Sequence, residues 1–230
     1  MIKKCEFMYK FIFKRFFDLI ISFLAIFILM PFLTPVIIGL LLTGENYIFY
    51  FQDRIGYKNR KFKIWKFATM LKNSSKMEGG LHTVRNDPRI TPMGVFLRKS
   101  KINEIPQLVN VLKGDMSIIG PRPLVDKTFF PYPQHVKEKI YDSKPGLSGI
   151  GSIIFRDEEK LLSETKIDKS EFYAKFISPY KGELELWYLK NISFKTDLIL
   201  IFFTIINIFS PNSKLIFRVF KDLPKNIEHN

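Results

Sequence analysis

From Leu19 to Leu42 the chain carries no charged side chain and is apolar at nearly every position. As a helix this run extends about 36 Å, enough for a hydrocarbon core of roughly 30 Å. A secretory signal is disfavoured, because its apolar region is shorter and ends in small residues. The following LLLTGENY offers no A-x-A-like cleavage site. Any fold of this chain must therefore place one long apolar helix, in a bilayer or inside a core.

The flanks and two prolines refine that requirement. Lys3, Lys4, Lys10, Lys14 and Arg15 precede the run, and Arg54, Lys58, Arg60, Lys61 and Lys63 follow it. Basic residues favour the cytoplasmic side, and here both flanks favour it. Pro31 and Pro35 each remove a backbone donor near the middle of the helix and favour a kink. Together these features predict a re-entrant membrane helix that breaks at Pro31 and returns to the face it entered. A straight span, with the downstream charge forced to the far side, is the alternative.

Charge narrows the partners. Lys plus Arg number 36 against 22 Asp plus Glu, a formal charge of +14. Such an excess points to nucleic acid, an anionic bilayer or phosphorylated substrates. No nucleic-acid-binding motif accompanies it, which argues against the first. The single cysteine, Cys5, rules out an internal disulfide and supplies no metal-ligand spacing.

Beyond Gly44, YIFYFQ and FKIWKF flank the turn-like GYKNRK and predict a hairpin. KNSSKMEGGLHTVRNDP reads as a loop, in which His82 lacks a second ligand. Thr-Pro at 91–92 opens a short helix to Lys99, and a second helix is expected from Glu104 to Lys113, stopped by Gly114. GDMSIIGPRP reads as a turn-rich loop. The stretch from Ser163 to Lys190 reads as helix interrupted at Ser178-Pro179. LILIFFTIINIF, Leu198 to Phe209, is too short to span a bilayer and belongs to the core or to an interface. The expected divisions are 1–44 for the basic flank and membrane helix, 45–212 for a compact cytoplasmic domain and 213–230 for a carboxy-terminal tail, whose end KDLPKNIEHN reads as frayed. The fold class is α+β and mostly helical, with a small hairpin and interfacial helices.

Three stretches hold candidate chemistry. In KSKINEIPQL, Asn103 has the side chain of an N-cap, and Glu104 is the only carboxylate, placed where a helix amino end favours negative charge. In PRP, prolines on both sides stiffen the chain around Arg122, whose planar fork suits a phosphate or carboxylate. In FRDEE, Asp157 and Glu158 are further carboxylates able to share Mg²⁺ with substrate phosphates, although a charge run is more often a solvated helix end.

FQDRIG, FKIWKFATM, DPRITPMGVFLRKSKINEIPQLVNVLKGDMSIIGPRP and KPGLSGIG, in this order behind a membrane segment, resemble the bacterial sugar transferases. These are monotopic phosphoglycosyl transferases acting on polyprenyl phosphate. YLKNIS extends the resemblance toward the carboxy terminus. The resemblance implies transfer of a sugar phosphate from a nucleotide diphosphate sugar to undecaprenyl phosphate, with Mg²⁺ as cofactor. It implies a catalytic domain lying on the anionic lipids of the inner membrane, and it agrees with a helix broken at Pro31. An Asp-Glu pair carries the family's chemistry, the Asp attacking phosphorus and the Glu holding metal. Arg122 matches a family arginine that binds phosphate, with Arg98, Lys66 and Arg54 as further phosphate-binding candidates.

At the decisive place this sequence departs from that pattern. Asn103 stands where the family has its nucleophilic Asp, while the metal-binding partner survives as Glu104. An amide is a very poor nucleophile toward phosphorus. Ala68 replaces a frequent basic residue, and GSIIFRDEE replaces a more usual polar segment. Two expectations result: an active enzyme in which Glu104 takes the leading part, or a silent relative that binds lipid phosphate or a glycan-assembly partner.

Overall fold

The computed structural model describes residues 9–43, 45–74, 77, 87–210 and 215–225. Cys5, His82 and most of the polar loop around His82 lie outside the described residues. Helix α1 runs from Lys14 to Leu42. The break expected at Pro31 is not a gap, because helical structure continues across both Pro31 and Pro35. Each proline deletes one ladder bond, and the neighbouring turns carry the helix past it. The middle of α1 presents Phe23, Phe27 and Phe32 outward, Phe27 being 73% exposed.

Both ends of α1 dock on the rest of the protein. At the amino end Arg15 donates to the carbonyls of Val111 (2.6 Å) and Leu112 (3.0 Å), and Asp18 accepts from Ser117 Oγ and the Ile118 N–H. At the carboxy end Val36 and Leu40 pack with Phe67 and Leu97.

Strands β1 (Phe49–Ile55) and β2 (Lys61–Phe67) form the expected antiparallel hairpin, with Phe49 opposite Phe67. Helix α2 (Pro92–Lys99) opens as predicted: Thr91 Oγ1 accepts from the Gly94 N–H at 3.1 Å. Helix α3 (Gln107–Lys113) ends at Gly114, whose φ of 93° favours glycine. Asn110 stitches α3 to the free edge of β2, accepting from the Trp65 N–H and donating to the Lys63 carbonyl.

GDMSIIGPRP is not a plain loop. It contains strand β3 (Ser117–Ile119), fully buried. After α4 (Asp126–Phe129) and α5 (Gln134–Lys137), β3 pairs in parallel with β4 (Gly146–Ser148). At Gly146 a Cβ would lie 2.1 Å from the Gly120 N, so only glycine allows the two backbones to approach.

Helices α6 (Ile150–Ile154), α7 (Glu158–Glu164) and α8 (Lys169–Phe172) follow. A π-helical turn, Tyr173–Ile177, leads from α8 into α9 (Ser178–Lys190). The expected interruption at Ser178-Pro179 is thus a change of helical register, and Pro179 is tolerated in the first turn of α9. Helix α10 (Phe194–Phe209) answers both halves of the expectation for LILIFFTIINIF: Leu200 and Phe203 are buried, while Leu198, Phe202 and Ile205 are exposed. Residues near the carboxy terminus are not frayed throughout. Within α11 (Leu215–Val219) Ile216 joins the main core, as does Leu223 beyond it, beside Leu108, Val111, Ile119, Leu184 and Tyr188.

Candidate active site

Lys101 adopts a left-handed conformation (φ 62°) and turns the chain into a 3-10 segment, Ile102–Glu104. Its amides bond backward to backbone: Glu104 N–H to the Lys101 carbonyl, Ile105 N–H to Ile102. Asn103 is therefore not the N-cap of α3, whose flanking residue is Pro106 with no side-chain cap. The cap expectation fails because backbone carbonyls already take the amides it would have served. Asn103 is 6% exposed, and its Oδ1 has no hydrogen-bond partner.

Glu104, the next residue, lies in a different setting. Its Oε1 accepts from Arg122 Nη2 at 2.8 Å and from Lys66 Nζ at 3.0 Å, with the side chain only 14% exposed. Burial alone would raise its carboxyl, but Arg122 and Lys66 outweigh that and hold it well below the usual carboxylate range. Burial pushes Lys66 down to about 8, helped by Arg54 and Arg122 and opposed by Glu104. Burial, with Arg122 beside it, likewise takes Arg54 down to about 10. Cations outnumber carboxylates here, which is the electrostatic condition for binding an anion.

The PRP loop is fixed atom by atom. The Arg122 carbonyl accepts from Tyr141 O–H at 2.9 Å, and the same phenol oxygen accepts from the Leu124 N–H. Arg54 Nη1 donates to the Pro123 carbonyl, and the Gly146 N–H donates to that of Pro121. Beneath it Glu185 is buried, within 3.5 Å of the Arg122 N–H.

A cavity of about 440 Å³ opens in front of Arg122. Glu104, Arg122, Lys101, Arg156, Glu158 and Lys181 line its charged end. Ile21, Ala25 and Leu29 of α1 line its apolar end with Ile201, Ile205 and Ile208 of α10. A second hollow, about 430 Å³ beside α4 and α5, shares none of these residues.

The candidates sort accordingly. Glu104, Arg122 and Glu158 face the cavity, and Lys66 and Arg54 stand behind Glu104 and Arg122. Glu158 is paired with Lys181 Nζ at 2.5 Å. Asn103 and Asp157 are not among the lining residues, and neither is Arg98, which pairs with Glu159 at 2.5 Å. Ala68 is buried in the core. Lys101, Lys181, Glu185 and Tyr141 were not singled out by sequence. Lys181 and Glu185 left one faint signal, a charged i,i+4 pair in a helix otherwise rich in Leu, Trp and Tyr.

A family model described as bacterial sugar transferase matches residues 9–211. The exopolysaccharide production protein ExoY of Sinorhizobium fredii is 31% identical over 207 residues, covering 84% of this chain and 83% of that protein. The UDP-galactose-lipid carrier transferase of Erwinia amylovora is 32% identical over 206 residues, 84% of this chain. The match covers only 39% of that longer protein. The undecaprenyl-phosphate glucose phosphotransferase of Komagataeibacter xylinus is 41% identical over 115 residues, 50% of this chain and 22% of its own length.

Proposed function

The chain belongs to the bacterial sugar transferase family, and from that premise we propose that it transfers a sugar phosphate from a nucleoside diphosphate sugar to undecaprenyl phosphate, starting a surface glycan. One observation carries this reading: a single cavity has a charged end at Glu104 and Arg122 and an apolar end between α1 and α10. A phosphorylated isoprenoid has the same two-part chemistry, and a diphosphate sugar needs the cations.

Helix α1 enters the bilayer and returns to the cytoplasmic face. Its length and composition suffice to cross a membrane, yet residues near both ends touch the same body. A straight crossing would carry one end away from it. Impermeant thiol reagents on intact cells should therefore leave both Cys5 and, in a Cys5→Ser background, Lys58→Cys unmodified. Labelling at only one of them sinks re-entry.

Glu104 is the attacking group. Its carboxylate oxygen bonds to the sugar-linked phosphorus as the bond to the nucleoside monophosphate breaks, and that leaving group takes the electron pair. An oxygen of the lipid phosphate then attacks the same phosphorus, and the carboxylate departs. Arg122 and Lys66 stabilise the charge developing on the phosphoryl oxygens. Among the described residues no group of three or more His, Cys, Asp or Glu converges. Mg²⁺ shared with substrate phosphates needs only one or two carboxylates. Glu104, whose Oε2 carries no hydrogen bond among the described residues, and Glu158 suit that set and would hold the ion. When bound it would neutralise diphosphate charge.

Vesicles containing the protein and undecaprenyl phosphate should convert a UDP-sugar from a panel into lipid-linked sugar phosphate and uridine monophosphate. With donor alone, peptide mapping should place a sugar-phosphate adduct on Glu104; an adduct on Glu158 would move the attack there. The burial of Asn103 favours a second reading, a silent relative. Its signature would be lipid-phosphate binding without turnover, with activity gained in Asn103→Asp.

A further inference from the structure

In Pro121-Arg122-Pro123 only Arg122 has a main-chain N–H, since proline has none. Its acceptor is Glu185 Oε1, at 3.5 Å. Glu185 is 1% exposed, and its Oε2 has no hydrogen-bond partner. Gly151 makes room for this carboxylate: a Cβ there would lie 2.5 Å from Oε1. Arg122 is thereby held at three points: its N–H by Glu185, its carbonyl by Tyr141 and its guanidinium by Glu104.

We infer that Glu185 is a positioning residue, which from beneath the PRP loop fixes the Arg122 main chain and so sets where the guanidinium meets phosphate. The inference rests on the proposed function for its ligand class, an organic or inorganic diphosphate. Burying a carboxylate oxygen that has no hydrogen-bond partner is costly. Its one main-chain bond goes to the loop that carries the phosphate-binding arginine. The charged and titratable groups facing it are Lys181 one turn back on α9, Arg122 from the loop, and the phenols of Tyr132 and Tyr141. Burial pushes the Glu185 carboxyl up to about 7, against the opposing pull of Lys181 and Arg122. The ionised form, which accepts the Arg122 N–H more strongly, therefore predominates above about pH 7.

The test is affinity for inorganic pyrophosphate, measured by calorimetry on the full chain in lipid nanodiscs from pH 6 to 9. Wild-type affinity should rise as pH passes through about 7 by more than pyrophosphate's own ionisation accounts for. Glu185→Gln should keep only the part due to the ligand, which both proteins share, and bind roughly five- to tenfold more weakly at pH 8. Its Tm at pH 8 should be no lower than wild type, because a neutral amide is cheaper to bury than a charge. In an Arg122→Ala background Glu185→Gln should add almost nothing, as expected of residues acting as one unit. Gly151→Ala, which crowds Oε1 without touching the charge, should weaken binding in the same way and serves where Glu185→Gln does not fold. Additive losses in the double variant, an unchanged pH limb in Glu185→Gln, or no pyrophosphate binding by wild type would each overturn the inference. Binding that behaves as described without any sugar-phosphate transfer would keep the positioning role and sink the proposed function instead.

Discussion

Asp197 and Glu104 are two of the carboxylates that this protein holds largely out of water beside cations, and they are built to opposite ends. Asp197 on α10 accepts from Lys14 Nζ (2.5 Å) and Tyr9 O–H (2.7 Å) on Oδ2, and from Tyr188 O–H (2.7 Å) on Oδ1. Both oxygens are engaged, one lysine matches the acid, and neither hollow described above reaches it. Glu104 has both of its bonds on one oxygen, faces more positive charge than it can balance, and borders an open cavity. The contrast teaches that burial and ion pairing alone do not mark a site. Surplus charge and access do.

The largest expected effect lies on the open side. Glu104→Gln should lower lipid-linked sugar-phosphate formation by at least about a thousandfold while the protein still folds, since the proposed attacking atom is gone. Residual activity near wild type would erase the distinction between the two carboxylates. On the sealed side, Asp197→Asn should cost about 3–5 kcal/mol of stability, because buried Lys14 loses the carboxylate it is bonded to. The folded fraction, counted by active-site titration, should turn over at nearly the wild-type rate. A specific catalytic defect there would bring Asp197 into the chemistry.

A smaller effect is expected at Arg122, the cation that turns the Glu104 pair outward. Arg122→Ala should lower kcat/KM by roughly ten- to 150-fold, or about 1.5–3 kcal/mol. Arg122→Lys should recover only part of it, because a point charge lacks the fork.

The smallest effect is in pH. Lys66 loses its charge as pH rises through about 8, so phosphate binding and turnover should decline above that value. Stability should move the other way. Unfolded lysine keeps its proton to about 10.4, so between about 8 and 10.4 the unfolded state binds more protons, and linkage makes stability rise with pH. Parallel kinetic and denaturation profiles that fall together above pH 8 would show that Lys66 is not the titrating group.

Local structure was legible where its cause is local. The β1–β2 hairpin, the Thr91 cap and the Gly114 stop each depend on a few adjacent residues, and each stands where the sequence puts it. The β3–β4 pair was not legible, because 28 residues lie between Ser117 and Gly146, which meet in it, and neither strand exceeds three residues. Asn103 was misjudged for a related reason. The left-handed turn at Lys101 decides whether the side chain caps or is buried, and lysine carries no hint of positive φ. Lys181 and Glu185 escaped notice because charged residues on a helix ordinarily face water, and here the core closes over them. Glu104 and Arg122 were legible as chemistry, but their meeting on one oxygen is a product of the tertiary fold.

The bond from Asp18 to the Ile118 N–H has a practical corollary for anyone handling this protein. That amide lies in the strand that runs into the PRP loop, so a side chain of the long apolar helix secures the frame of the charged pocket. Trimming away residues 1–42 to obtain a soluble fragment would strip Ile118 of its acceptor and Asp197 of its lysine in the same cut. Such a fragment should be recovered aggregated, or without its binding site, whatever detergent is left out of the preparation. Screening for inhibitors therefore calls for a chain that keeps α1, because that helix is also a structural part of the pocket.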